Sequence, residues 1–140
     1  MNNIQASLLI HQLDRIEKYL DRKKKIAEIY DQKFAQNPKL KILKILPRTK
    51  HARYIYTILV NPKKRDDYMK LLQEKGIGVA VNFRPIHLMY YYREKYGYRG
   101  GEYPRAEKIG ASTITIPLYP KLKLKEVNSI VDTVNQITKK

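Results

Sequence analysis

The spacing of apolar side chains divides this sequence into helical and extended segments. From residue 3 to 35, Leu9, Leu13, Ile16, Leu20, Ala27, Tyr30 and Phe34 recur at helical intervals and form one stripe. The pattern predicts one long N-terminal helix with room for a break, capped by Asn2 or Asn3 and ended by Asn37-Pro38. Lys23, Lys24 and Lys25 within it read as a solvated face. Residues 39–52 alternate Leu40, Ile42 and Ile45 with lysines, an extended linker or edge strand closed by Pro47. Tyr54 to Val60, rich in β-branched and aromatic residues, predicts the first clear strand. Beyond the Asn61-Pro62 turn, Arg65 to Glu74 predicts a helix with Tyr68, Leu71 and Leu72 facing inward. Gly76 follows where a left-handed residue ends the helix.

The remaining segments follow the same logic. Ile77 to Phe83 predicts a second strand, stopped by Pro85, and Leu88 to Lys95 a short helix. Tyr98 to Gly101 reads as a loop, and Pro104 to Gly110 as a helix with proline in its first turn. Ser112 to Ile116 predicts a third strand, Pro117 and Pro120 bracket a turn, and Leu124 to Ile137 predicts the last helix. That helix carries Val127, Ile130, Val131 and Val134 on one face. The sum is an α+β fold, a single domain over residues 1–140. It has a small, mostly antiparallel three-stranded sheet covered by helices.

Composition narrows the class of protein. With 43% hydrophobic residues the chain can bury a core. No apolar run approaches the roughly 18 residues of a membrane span. The polar start lacks the basic and apolar regions of a secretory signal, so a cytoplasmic protein without membrane contact is expected. The absence of cysteine excludes disulfides, thiolate metal sites and cysteine nucleophiles. The net charge of +16 changes the picture most. Such a field attracts nucleic acid or an acidic partner, and dispersed lysines give weak, non-specific nucleic-acid binding. A basic binding module of this kind is the alternative to an enzyme domain. A lysine-rich composition bias accounts for the same charge without any partner.

Three residues near the end of the second predicted strand are candidates for substrate contact. His87 sits in a proline-flanked turn, and its imidazole can donate to a phosphate, hydroxyl or carboxylate. A turn histidine that only caps a helix or meets water fits the sequence equally well. Arg84 offers a planar fork for an anion or a surface salt bridge, and Asn82 lies beside it. Tyr90, Tyr91, Tyr92, Tyr96, Tyr98 and Tyr103 alternate with Arg93, Lys95 and Arg99. Stacking of bases is one use of such a pattern, and packing between helix and sheet is another. Gly97 to Gly101 lacks the spacing of a phosphate loop, and no carboxylate pair or histidine cluster has metal-ligand spacing.

The order of these parts carries a resemblance. Ile77 to Phe83 leads into Arg84-Pro85-Ile86-His87. A tyrosine-rich helix follows, then Glu102-Tyr103-Pro104-Arg105-Ala106-Glu107 and Ile116-Pro117-Leu118-Tyr119-Pro120. This resembles the C-terminal segment of the DegT/DnrJ/StrS family of sugar aminotransferases. Met1 to Leu8 matches the helix that opens the small domain in that family. The resemblance covers nearly all of this chain but only the last third of a typical member. It implies a pyridoxal phosphate enzyme that passes an amino group from glutamate to a keto-sugar nucleotide. It also implies that His87 lies at the substrate pocket, with Arg84 and Asn82 nearby. Asn82 stands where many members have histidine, and Tyr90 where proline is common. The lysine and carboxylate that hold the cofactor belong, by the same resemblance, to a large domain not found in this sequence. No pyridoxal phosphate is therefore expected on this chain alone, nor activity without a large-domain partner. The apolar start of the first helix predicts a homo-oligomer.

Overall fold

A computed structural model describes residues 2–139, so Met1 of the opening match lies outside it. Six α-helices and three strands form an α+β fold. They are α1 (Asn3–Leu13), α2 (Ile16–Ala35), β1 (Lys41–Ile42), β2 (Tyr56–Leu59), α3 (Arg65–Glu74), α4 (Tyr90–Tyr96), α5 (Pro104–Ser112), β3 (Thr113–Ile116) and α6 (Leu124–Lys139). A single 3₁₀ turn, Ile86–Leu88, precedes α4.

The sheet is antiparallel throughout, in the order β1-β2-β3. Tyr56 faces Ile116 and Ile58 faces Ile114 across the central pair. These four side chains share one face and are buried. Helices α2, α3 and α6 supply much of the remaining core through Tyr30, Phe34, Leu72, Val127 and Val134, and α5 contacts β2. Asn37, buried past the end of α2, donates from Nδ2 to Asn135 Oδ1 (2.8 Å) and Thr138 Oγ1 (2.9 Å), tying α2 to α6.

One expectation gains a location and another is corrected. The long first helix breaks at Asp14 and Arg15. There the Arg15 amide bonds to Gln12 in a tighter turn, and its Nε donates to the His11 carbonyl (2.8 Å). Asn2 caps α1 through a reciprocal pair of bonds with Gln5. The correction concerns the sheet. Residues 77–83 form no strand and touch it only through a single bridge between Ala80 and Thr115. The Lys41–Ile42 segment is the third strand instead. The reason lies in the end of α3. Gly76, at φ +75°, donates to Gln73, and the Ile77 amide donates to Leu72, closing a Schellman cap. The cap uses the Ile77 N–H, and Asn82, Phe83 and Pro85 then turn away from the sheet toward α5.

Candidate functional site

The turn after Ala80 carries the three candidate residues, and the structure separates them. Asn82 lines a cavity of about 300 Å³ together with Arg53, Tyr54 and Phe83. Arg84 lines a second cavity of about 490 Å³, walled in part by Pro85, Leu88 and Met89. His87 lines neither. It is 7% exposed and sits behind the second cavity, bonded to Glu107, which does line it.

His87 neither caps a helix nor stands in water. Its Nε2 lies 2.9 Å from Glu107 Oε1, and its ring meets Tyr103 (4.8 Å between centroids) and Tyr98 (5.9 Å) edge-on. The Glu107 carboxylate also accepts the backbone N–H groups of Gly101 and Tyr103. Glu102 accepts those of Arg99 and Gly100, each at 2.8 Å. Glu107 therefore staples the Gly101–Tyr103 end of the loop, and His87 with it, onto α5, while Glu102 closes the loop on itself. With Glu107 ionised, Nε2 carries the proton and donates.

The ligand atoms of His87, Glu102 and Glu107 lie within 4.8 Å of one another. That donor set suits a metal by type, and its carboxylate oxygens already accept backbone amide hydrogens. In this structure the cluster acts as a loop staple, held by those amide bonds and by the His87–Glu107 pair.

The His87 hydrogen bond, opposed by burial and aided by the Gly101 and Tyr103 amides, holds the Glu107 carboxyl below the ordinary carboxylate range. Its folded pKa lies below that of the unfolded chain. The staple is thus complete above the ordinary range and is lost as pH falls through the lower folded value. In an NMR titration, the Gly101 and Tyr103 amide shifts should move with a midpoint below that of glutamate in an unstructured peptide. Glu107→Gln should abolish that transition. A midpoint at or above the peptide value would show that the carboxylate is not held in this way.

The tyrosine-rich segment packs on itself. Ring contacts run from Tyr91 to Tyr92 (5.4 Å), Tyr96 (6.1 Å) and Tyr98 (6.2 Å), and so to His87. Lys95 lies 5.2 Å from the Tyr91 ring centre. A second polar group, missed in the sequence, borders the Asn82 cavity. Arg53, buried at φ +48°, pairs with Asp31 at 2.6 Å, and Asp31 accepts the Tyr56 hydroxyl at 2.7 Å. Its partners lie 22 and 25 residues apart in sequence, so no local motif announces it. Glu107 had a weaker signal, an acidic residue in the first turn of a helix after a Gly-Gly loop.

A model of the DegT/DnrJ/EryC1/StrS aminotransferase family matches residues 1–135. The chain is 31% identical to the spore coat polysaccharide biosynthesis protein SpsC of Bacillus subtilis, over 99% of this chain and 37% of SpsC. It superposes on Spr1654 of Streptococcus pneumoniae, solved in its PLP form, with a TM-score of 0.92 and 31% identity, covering 99% of this chain and 36% of that one. It superposes on PseC of Helicobacter pylori, an aminotransferase involved in the biosynthesis of pseudoaminic acid, with a TM-score of 0.89 and 25% identity, covering 99% of this chain and 38% of that one. The chain thus spans little more than a third of the length of these relatives.

Proposed function

This chain belongs to the DegT/DnrJ/EryC1/StrS aminotransferase family, and on that premise we propose that it acts as the C-terminal, substrate-closing domain of a sugar-nucleotide aminotransferase. The reaction it serves moves an amino group from glutamate to a keto-sugar nucleotide, for amino sugars of polysaccharide or lipopolysaccharide. The observation that carries this reading is α1. None of its residues is buried, and Ile4, Leu8, Leu9, Ile10 and Leu13 are all exposed. Apolar area of this kind calls for a cover. The cover we assign is the large, cofactor-bearing domain, and without it a second copy of this chain.

Pyridoxal phosphate needs a lysine that forms an imine and a carboxylate that faces the pyridine nitrogen. The residues present do not fit that group. Every lysine among the described residues is exposed or half-buried, and none sits in the enclosed pocket that such an imine needs. The role of this chain is therefore binding and closure. His87 orders the turn and presents it to the substrate, while Arg84 and Asn82 contact substrate from their separate cavities.

The reading is tested by mixing this chain with the large domain of a relative such as SpsC and measuring co-elution and glutamate-dependent amino transfer. Leu8→Glu with Leu13→Glu should abolish co-elution. His87→Gln should lower transfer about tenfold per folded complex, the scale of one lost polar contact. Absence of any complex would overturn the proposed role. Transfer unchanged in His87→Gln would leave that residue to the loop staple alone.

A further inference from the structure

The cavity beside Arg84 has the chemistry of an oxyanion site. Two guanidinium groups line it, Arg84 from the turn and Arg65 from the first residue of α3. Arg84 makes no ion pair among the described residues. Arg65 is half-buried. Its Nε is shielded from solvent and lies 3.0 Å from Asp66 Oδ1, but the N–H is not aligned with that oxygen and has no hydrogen-bond acceptor. A buried donor without an acceptor is an unmet hydrogen bond. Asp66 itself is exposed, so its charge is mostly screened by water. The one carboxylate in the cavity wall, Glu107, is already bonded to His87 and to the Gly101 and Tyr103 amides. Pro85, Leu88 and Met89 add apolar lining that suits the carbon part of a small molecule.

We propose that this cavity binds a small organic oxyanion, a phosphate ester or a carboxylate, between Arg84 and Arg65. A planar guanidinium pairs with two oxygens of either group, and two arginines lining one small cavity favour an anionic ligand over a neutral one. Volume agrees. About 490 Å³ takes a small metabolite and not a polymer segment. Arg84 also figures in the amino-transfer role above. Anion binding is measured on the free chain without catalysis, so its failure leaves that role to the reconstitution assay.

Inorganic phosphate and glutamate serve as probes. Each is titrated into the chain at constant ionic strength, by calorimetry and by amide NMR shifts. Saturable binding should appear, with the largest shifts at Gly110 and Ala111, which border the cavity. Arg84→Gln is the main variant, since Arg84 is exposed and its loss should leave the fold intact. It should weaken binding about tenfold or more, as should Arg65→Gln, because each removes a charge-assisted pair. Lys125→Gln on α6 removes the same charge far from the cavity and should stay within about twofold. Tighter phosphate than glutamate would identify a phosphate ester as the ligand, and the reverse a carboxylate. Equal weakening in Arg84→Gln and Lys125→Gln, or shifts spread over the lysine-rich surface, would assign the binding to the +16 field and overturn the site.

Discussion

Tyr30→Ala is expected to cost about 3–5 kcal/mol of stability, the range for removing a fully buried aromatic ring. Tyr30 is 0% exposed and joins two layers of the fold. Its ring stacks on Phe34 one turn along α2 (5.6 Å) and meets Tyr56 of β2 at 4.9 Å. Its hydroxyl donates to the Pro117 carbonyl at 3.0 Å, beyond the end of β3. Burial raises its pKa far above the ordinary phenol, so the hydroxyl remains a donor at any pH the fold survives. Alanine removes the ring and leaves a cavity that the helix and sheet cannot close without moving apart. Tyr30→Phe removes only the hydroxyl and should cost about 0.5–1.5 kcal/mol. Against a total stability of about 5–15 kcal/mol, the alanine variant loses a large share. Denaturant midpoints for the two variants check this. If Tyr30→Ala costs no more than Tyr30→Phe, the ring does not carry the contact between α2 and the sheet.

Gly110→Ala should destabilise the protein by about 1–3 kcal/mol, against the helix-propensity gain of about 1 kcal/mol that alanine brings inside a helix. Gly110 lies within α5, and a Cβ there would meet Pro85 Cδ at 2.5 Å and Cγ at 2.9 Å. Those atoms belong to a rigid ring fused to the backbone, so the turn itself must shift. The displaced segment carries Arg84 and His87. Loss of stability should therefore come with weaker anion binding and with movement of the Gly101 and Tyr103 amides. Gly78 makes the matched comparison. No atom lies within 4 Å of its would-be Cβ, so Gly78→Ala should change stability by less than about 0.5 kcal/mol. Thermal denaturation of both variants decides the sign. A stabilised Gly110→Ala would mean that α5 and the Pro85 turn are not in close contact.

Both predictions separate what is readable along the chain from what is not. The stripe containing Tyr30 and Phe34, the strand ending at Leu59, the left-handed Gly76 and the apolar face of α6 follow from local periodicity and backbone preference. They reappear in the structure with small changes of boundary. Residues 77–83 were misread because a β-rich composition cannot report that the Ile77 amide is already bonded to Leu72. The alternation around Lys41–Ile42 leaves a linker and an edge strand equally open, and its pairing with β2 makes it a strand. Nor does the sequence show that α1 and α2 are separate helices, since the apolar stripe runs on through the break at Arg15.

The amino-acid sequence by itself determined the fold class and the family resemblance and singled out the three residues of the turn as candidates, because each depends on spacing within a few positions. Tertiary structure decided how those residues are used. His87 meets Glu107 across 20 residues, Arg53 meets Asp31 across 22, and Arg84 of the turn shares a cavity with Arg65 of α3. Hydrogen bonds and electrostatic pairs form wherever packing brings groups within about 3 Å. Packing is set by how the layers close over Tyr30 and its neighbours, which no local spacing encodes.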